Sequence, residues 1–277
     1  MSQNVHLPHL REAKPPSSTP RTPIPDLFLL KDRTIIITGA AGFLGSTLAT
    51  ATLQSGADVI ALDILPAPPA SSWDGVGAAA DAHGGKVEYV QCDTTDEGKV
   101  KAAFEAFVPS LRWPIRGLVA CAGISDNGPA MEFDARRIRR LLDVNVTGTF
   151  LVAQAVARET TRVGVGGSMV LVASMSGYVA NKAAVQQLAR SLAAEWGSRK
   201  GVPLIRVNSL SPGYIRTVAT AEALEKPGME EQWVGDNMLY RLSTADEFRA
   251  PVLFMLGDGS SFMTGADLRV DGGHCAW

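Results

Sequence analysis

The sequence predicts an α/β fold: a doubly wound parallel sheet with helices on both faces, in a single domain. Three observations carry this. Short β-like runs alternate with helical stretches along most of the chain. The first run, RTIIIT (33–38), is almost continuously apolar, as a strand buried on both faces should be. It leads directly into TGAAGFLG (38–45), a glycine-rich turn that opens a helix.

The elements follow in order. The first helix runs to Gln54 and is closed by Gly56, a residue suited to the left-handed turn past a helix end. ADVIALD (57–63) is the second strand. Residues 65–85, rich in Pro and Gly, read as a loop holding one short helix. VEYVQCD (87–93) is the third strand, followed by a helix to about Val108, and IRGLVACAG (115–123) is the fourth. One long helix is expected over 133–161, then a fifth strand, SMVLVAS (168–174), and a helix from Lys182 to Trp196. LIRVNSLSPG (204–213) is the sixth strand. Residues 217–240 resemble a lid over a pocket, 245–256 a helix, and ADLRVDGG (266–273) the last strand and its turn.

The 277 residues, 46% of them hydrophobic, suffice for one domain with a large core. Residues 1–26, polar and Pro-rich, read as a flexible tail, and 27–277 as the folded domain. A net charge of −2 gives no basic surplus for nucleic acid or anionic lipid. No apolar stretch reaches the roughly 20 residues of a membrane span, and the N-terminus lacks the apolar core of a signal peptide. Cys92, Cys121 and Cys275 form no metal or CxxC spacing. They read as free thiols in a reducing compartment, so a cytoplasmic location is expected.

Two constellations carry chemistry. Gly39, Gly42 and Gly45 sit between a strand and a helix. Such glycines make the sharp turn, admit a pyrophosphate to the backbone and let helix and sheet pack closely. Gly39, Gly42, Leu44 and Gly45 are therefore candidate cofactor contacts. Asp63 ends the second strand, 18 residues after Gly45. A carboxylate there accepts from ribose hydroxyls and repels a 2′-phosphate, so the cofactor expected is NAD or NADP, with NAD favoured. Tyr178 and Lys182 stand four residues apart at a helix start, on one face. The ammonium can lower the phenol's pKa so that it trades protons near neutrality. Ser174 lies close by and can hold a carbonyl or alcohol oxygen.

With these residues in hand, the chain resembles the short-chain dehydrogenase/reductase family of the classical type, from about Arg33 to Gly273. Further stretches match. Asp93 in QCDTTD lies where the family holds the adenine ring. ACAG (120–123) is similar to the family's N-N-A-G, with Ala120 and Cys121 replacing both asparagines. Asn145 in DVNVTGTF lies where the family keeps an asparagine that anchors a water in its proton relay. SPGYIRT (211–217) resembles the stretch that touches the nicotinamide, which makes Pro212, Gly213, Ile215 and Thr217 candidate cofactor contacts. SMSG and KAAVQQLARSLAAEW resemble fungal-type polyol dehydrogenases and ketose reductases. The resemblance implies a Rossmann-like fold and hydride exchange between NAD(P) and a secondary alcohol or ketone, a polyol or ketose among them. It implies Tyr178 as acid/base, Lys182 on the nicotinamide ribose, Ser174 on the substrate oxygen and Asn145 in the relay. It also implies a homo-oligomer paired through the helices at 133–161 and 182–196. Cys121 reads as core.

Two departures stand out. The middle glycine lies one place early, with Phe43 where the classical pattern has glycine. More seriously, the family places about a dozen residues between its catalytic serine and tyrosine, and Ser174 and Tyr178 are separated by Met175, Ser176 and Gly177. Read back from the helix, Tyr178 falls on the catalytic tyrosine. Read forward from the strand, SMSGYVAN is loop, Tyr178 is a loop residue, and a block carrying the true tyrosine is lost. In the second register the chain is a non-catalytic dinucleotide binder. Four residue steps span at most roughly 14 Å, and facing hydroxyls need Cα atoms roughly 8–10 Å apart, so both registers are open. Ser176 is a fallback for Ser174, or a cap for the shortened helix.

Overall fold

A computed structural model describes residues 22–126, 128–175, 180–198 and 200–276. Most of the expected tail lies outside them, and so do Ser176 and Tyr178. Seven strands form one sheet in the order β3-β2-β1-β4-β5-β6-β7: β1 (Thr34–Thr38), β2 (Asp58–Asp63), β3 (Val87–Gln91), β4 (Ile115–Ala120), β5 (Gly167–Val172), β6 (Ile205–Pro212) and β7 (Asp267–Val270). Every pairing is parallel. The doubly wound sheet read from the alternating pattern is thus the observed architecture.

The central strands are apolar throughout because both faces are covered. Successive side chains of β1 point to opposite faces. Ile36 joins Leu118, Leu171 and Val207 against α5 (Thr149–Arg162) and α6 (Ala180–Ser198), through Val152, Val156, Ala189 and Trp196. Ile35 and Ile37 join Val119, Val170 and Leu210 on the other face. There they pack on α1 (Phe43–Gln54) and on the helix Arg249–Leu256, through Leu48, Leu53 and Met255.

One helical expectation needs correction. The segment 65–85 is not mainly loop: α2 (Ala70–His83) is a 14-residue helix, ended by Gly84 at φ 65°. Pro66, Pro68 and Pro69 precede it, and Gly75 and Gly77 face open space, so neither breaks it. It buries Val76, Ala79 and Ala80, a one-face spacing of small residues. After α3 (Glu97–Phe107), the long helix expected over 133–161 is present and unbroken, as α4 (Ala135–Leu142), a π-helical turn over Asp143–Gly148, and α5. The wider turn sits where Asn145 turns into the interior. In the lid region, α7 (Val218–Leu224) and α8 (Met229–Gly235) are short helices, held down by stacking of Tyr214 on Trp233 at 4.4 Å.

Candidate active site

The strand order reverses between β1 and β4, and open α/β sheets bind ligands at the C-terminal ends of such a pair. The glycine turn lies there. Gly39 adopts φ 63°, and a Cβ on it would come within 2.8 Å of the Ala122 backbone. A Cβ on Gly45 would lie 2.2 Å from the Gly39 carbonyl oxygen, so the turn closes only with glycine at both. Gly42 precedes α1, no side chain caps that helix, and its first turn carries no acid. Leu44 is half-buried against the core. Phe43, at the displaced glycine position, takes up helical backbone and is largely exposed. Thr38 Oγ1 accepts from the Ala122 N–H at 3.1 Å and joins the ends of β1 and β4.

Asp63 leaves β2 beside this turn. Its carboxylate accepts from the N–H groups of Ala41 at 3.0 Å and Leu65 at 3.1 Å. Asp93 accepts from the Thr95 hydroxyl at 2.7 Å and the Thr95 N–H at 3.1 Å, and these bonds hold its carboxyl below the usual range. Trp73 of α2 sits edge-on to Tyr89, whose hydroxyl donates to the Leu65 carbonyl at 2.8 Å. Burial, aided by the Asp63 charge, pushes that phenol up to about 12.

Asn145 and Lys182 converge on Gly123, where a Cβ would meet Asn145 Oδ1 at 3.1 Å and Lys182 Nζ at 3.2 Å. Asn145 accepts from the Ile124 N–H at 2.8 Å and donates to the Ile124 carbonyl at 2.9 Å. It also donates to Asn181 Oδ1 at 2.8 Å. Among the described residues, Lys182 Nζ has one hydrogen-bond partner, the Val172 carbonyl at 2.8 Å. Burial lowers its ammonium to about 8, against a smaller opposing effect of the Cys121 thiol. Cys121 is half-buried and packs against the core, as expected, and burial pushes its thiol up to about 12. An amine of this kind exchanges protons near neutral pH and lowers the proton affinity of any hydroxyl brought beside it.

Ser174 follows β5, half-buried, and the next N–H, of Met175, donates to the Pro212 carbonyl at 3.0 Å. Gly213 packs against Asp271, where a Cβ would lie 2.7 Å away. Ile215 bridges to Ser243, and Thr217 caps α7 reciprocally with Thr220. Ser174, Lys182, Asn145 and the 212–217 stretch therefore meet at the C-terminal ends of β4, β5 and β6, while Asp63 and Asp93 lie beyond β1. Asn181 and Gln186 were not anticipated. Both share α6 with Lys182, and the four-residue step from Lys182 to Gln186 was the available signal. Among the described residues no group of acids, His and Cys could hold a metal, and no helix is long and apolar enough to cross a membrane.

Comparison with known proteins agrees with this fold. A family model described as enoyl-(acyl carrier protein) reductase matches residues 28–274. The chain is 65% identical to the short chain dehydrogenase/reductase notP′ of Aspergillus versicolor, over 99% of this chain and 98% of that protein. It is 35% identical to the galactitol 2-dehydrogenase (L-tagatose-forming) of Cereibacter sphaeroides, over 91% of this chain and 98% of that one. The crystal structure of NADPH-dependent 3-quinuclidinone reductase from Rhodotorula rubra superposes with a TM-score of 0.81, at 29% identity, covering 95% of this chain and 99% of that one. The Aspergillus match runs over 285 residues, eight more than the 277 of this chain, so that relative carries at least eight residues lacking here. The chain belongs to the short-chain dehydrogenase/reductase family.

Proposed function

We propose that this chain is an NAD(P)-dependent oxidoreductase that interconverts a secondary alcohol and a ketone, with a polyol or ketose as substrate class. The observation that carries this is the convergence of the buried Lys182 amine and Asn145 on Gly123, at the strand ends that also hold the glycine turn. In this reading the cofactor supplies or accepts a hydride when bound. Gly39, Gly42, Leu44 and Gly45 receive its pyrophosphate, Asp63 its adenosine ribose and Asp93 the adenine side. Pro212, Gly213, Ile215 and Thr217 flank the nicotinamide. Tyr178 gives a proton to the carbonyl oxygen or takes one from the alcohol, Lys182 lowers its pKa, Ser174 holds the substrate oxygen and Asn145 supports the relay. The carboxylate of Asp63 favours NAD. The polyol class rests on the name of the galactitol relative. We further place the protein in the cytoplasm as a homo-oligomer. The α5–α6 face, with a cavity of about 450 Å³ lined by Phe150, Leu192 and Trp196, is the proposed contact.

The test is turnover of NADH or NADPH with a panel of ketoses, in the wild type and in Tyr178→Phe. The reading expects at least a hundredfold loss in the variant, the lower end of general acid–base contributions, roughly 10²–10⁴. Equal turnover in both would sink the role of Tyr178. A second reading is favoured by the short link between Ser174 and Tyr178: a dinucleotide binder that has lost the tyrosine segment. It expects cofactor binding with no hydride transfer, and activity created by inserting about a dozen residues with a tyrosine before Lys182.

A further inference from the structure

Beneath the candidate site lies a partly buried polar hub centred on Gln186. This residue is one helical turn beyond Lys182 and on the same face of α6. Lys182 Nζ donates to the Val172 carbonyl at 2.8 Å, and Gln186 Nε2 reaches the Ser174 carbonyl at 3.5 Å. Two successive turns of α6 are thereby stapled to the end of β5. The same amide donates to Ser211 Oγ at 2.9 Å and to Asp267 Oδ2 at 3.3 Å. Asp267 Oδ1 in turn accepts from the hydroxyls of Ser209 and Ser211, each at 2.7 Å.

The proton directions leave one arrangement. Asp267 is acceptor-only when ionised, so Ser211 spends its single proton on the carboxylate and its oxygen accepts from Gln186. The Ser174 carbonyl also only accepts. The Gln186 amide must therefore turn its nitrogen, not its oxygen, toward all three; its two hydrogens are shared among them, and the 3.5 Å reach to the Ser174 carbonyl is the weakest of the contacts. Bonds anchored on a carboxylate are stronger than neutral ones, so the hub is stiff. Four elements meet in it: β5, α6, β6 and β7.

We propose that Gln186, oriented by Ser211 and Asp267, is the positioning residue that sets Ser174 against Lys182 in this shortened site. Its meaning for catalysis rests on the oxidoreductase reading above, but its structural content does not. A cavity of about 460 Å³, lined by Met175, Gln186, Arg190, Asp267, Arg269 and Cys275, opens beside the hub. Arg269 lies 3.9 Å from Asp267 Oδ2, and Arg190 and Cys275 are the other ionisable groups facing it. A carboxyl introduced at 186 thus has a path to solvent and to protons.

The experiment is amide hydrogen exchange by mass spectrometry on the full chain, with and without NADH, each variant compared with wild type at the same pH. The peptide that spans the end of β5 and the start of α6 is the reporter. Gln186→Leu should speed its exchange about tenfold, as the loss of a partly buried hydrogen bond implies, and lower kcat while the KM for cofactor holds. Gln186→Glu should loosen the peptide near pH 8, where the two adjacent carboxylates repel, and tighten it again in part near pH 5, where they can share a proton. That recovery also shows that the variant folds. Gln187→Leu, one position along on the exposed face, should match wild type. The proposal is overturned if Gln186→Leu exchanges like wild type, or if Gln186→Glu behaves alike at both pH values. If wild type transfers no hydride yet the exchange pattern appears as described, the oxidoreductase reading fails and the positioning role stands.

Discussion

Replacing Lys182 by methionine tests the electrostatic heart of the site without any assumption about substrate. The side chains are similar in length, and the charge is removed. Burial lowers the Lys182 ammonium from the ordinary 10.5 to about 8, a depression of about 2.5 pH units. At about 1.4 kcal/mol per unit, holding the charged amine in the fold costs about 3 kcal/mol wherever both states are protonated, that is, below about pH 8. Between about 8 and 10.5 the unfolded chain binds the proton and the folded one does not, so wild-type stability rises with pH across that window. Above it the cost is gone. The lost bond to the Val172 carbonyl offsets about 1 kcal/mol of that cost. Lys182→Met should therefore be about 2 kcal/mol more stable than wild type near neutrality and about 1 kcal/mol less stable above pH 10.5. Cys121, pushed up to about 12, stays protonated throughout the window, and other titrating groups cancel in the difference. Urea unfolding of both proteins from pH 7 to 10.5 measures this difference. A difference that stays flat across the window would refute the reasoning, because it would mean that the amine is solvated or paired.

Three further outcomes follow from the cofactor cleft. Gly45→Ala places a methyl group 2.2 Å from the Gly39 carbonyl oxygen, so melting should show a loss of about 1–3 kcal/mol, the usual cost of overpacking, and titration should show weakened dinucleotide binding. Asp63→Asn keeps an acceptor for the Ala41 N–H while removing the charge. The NADP-to-NAD affinity ratio, read by nucleotide fluorescence, should rise roughly ten- to hundredfold; an unchanged ratio would show that Asp63 does not select the cofactor. Asn145→Ala leaves the Ile124 N–H and carbonyl and Asn181 Oδ1 without their partner. Denaturant unfolding should register a loss of about 2–3 kcal/mol, with a larger effect on turnover than on cofactor binding.

The sheet was legible because its inner strands are buried on both faces, so TIIIT and DVIALD read as strands without help from neighbours. The glycine turn was legible for the same local reason: only glycine closes it at Gly39 and Gly45. The α2 helix was hidden, since Ala79 and Ala80 give a faint apolar stripe and three prolines just before it read as loop. No pattern marked the π-turn at Asn145, which is a matter of backbone hydrogen bonding rather than composition. The Gln186 hub draws Ser209 and Ser211 from β6 and Asp267 from β7, residues about 25 to 80 positions away in sequence that only the folded chain brings together. Lys182 and Asn145 were named from the sequence, yet their meeting at Gly123 was not foreseeable from spacing.

The central claim is that the shortened segment after β5 still builds a working hydroxyl pair over the cofactor. A crystal structure of the chain with nicotinamide dinucleotide bound tests it most directly, through the positions of the Ser174 and Tyr178 hydroxyls. The account predicts both within roughly 3 Å of a single point above nicotinamide C4, with Lys182 beside the phenol. A Tyr178 side chain directed away from that point, with Lys182 still turned to the Val172 carbonyl, would contradict it and leave the chain a binder of dinucleotide alone.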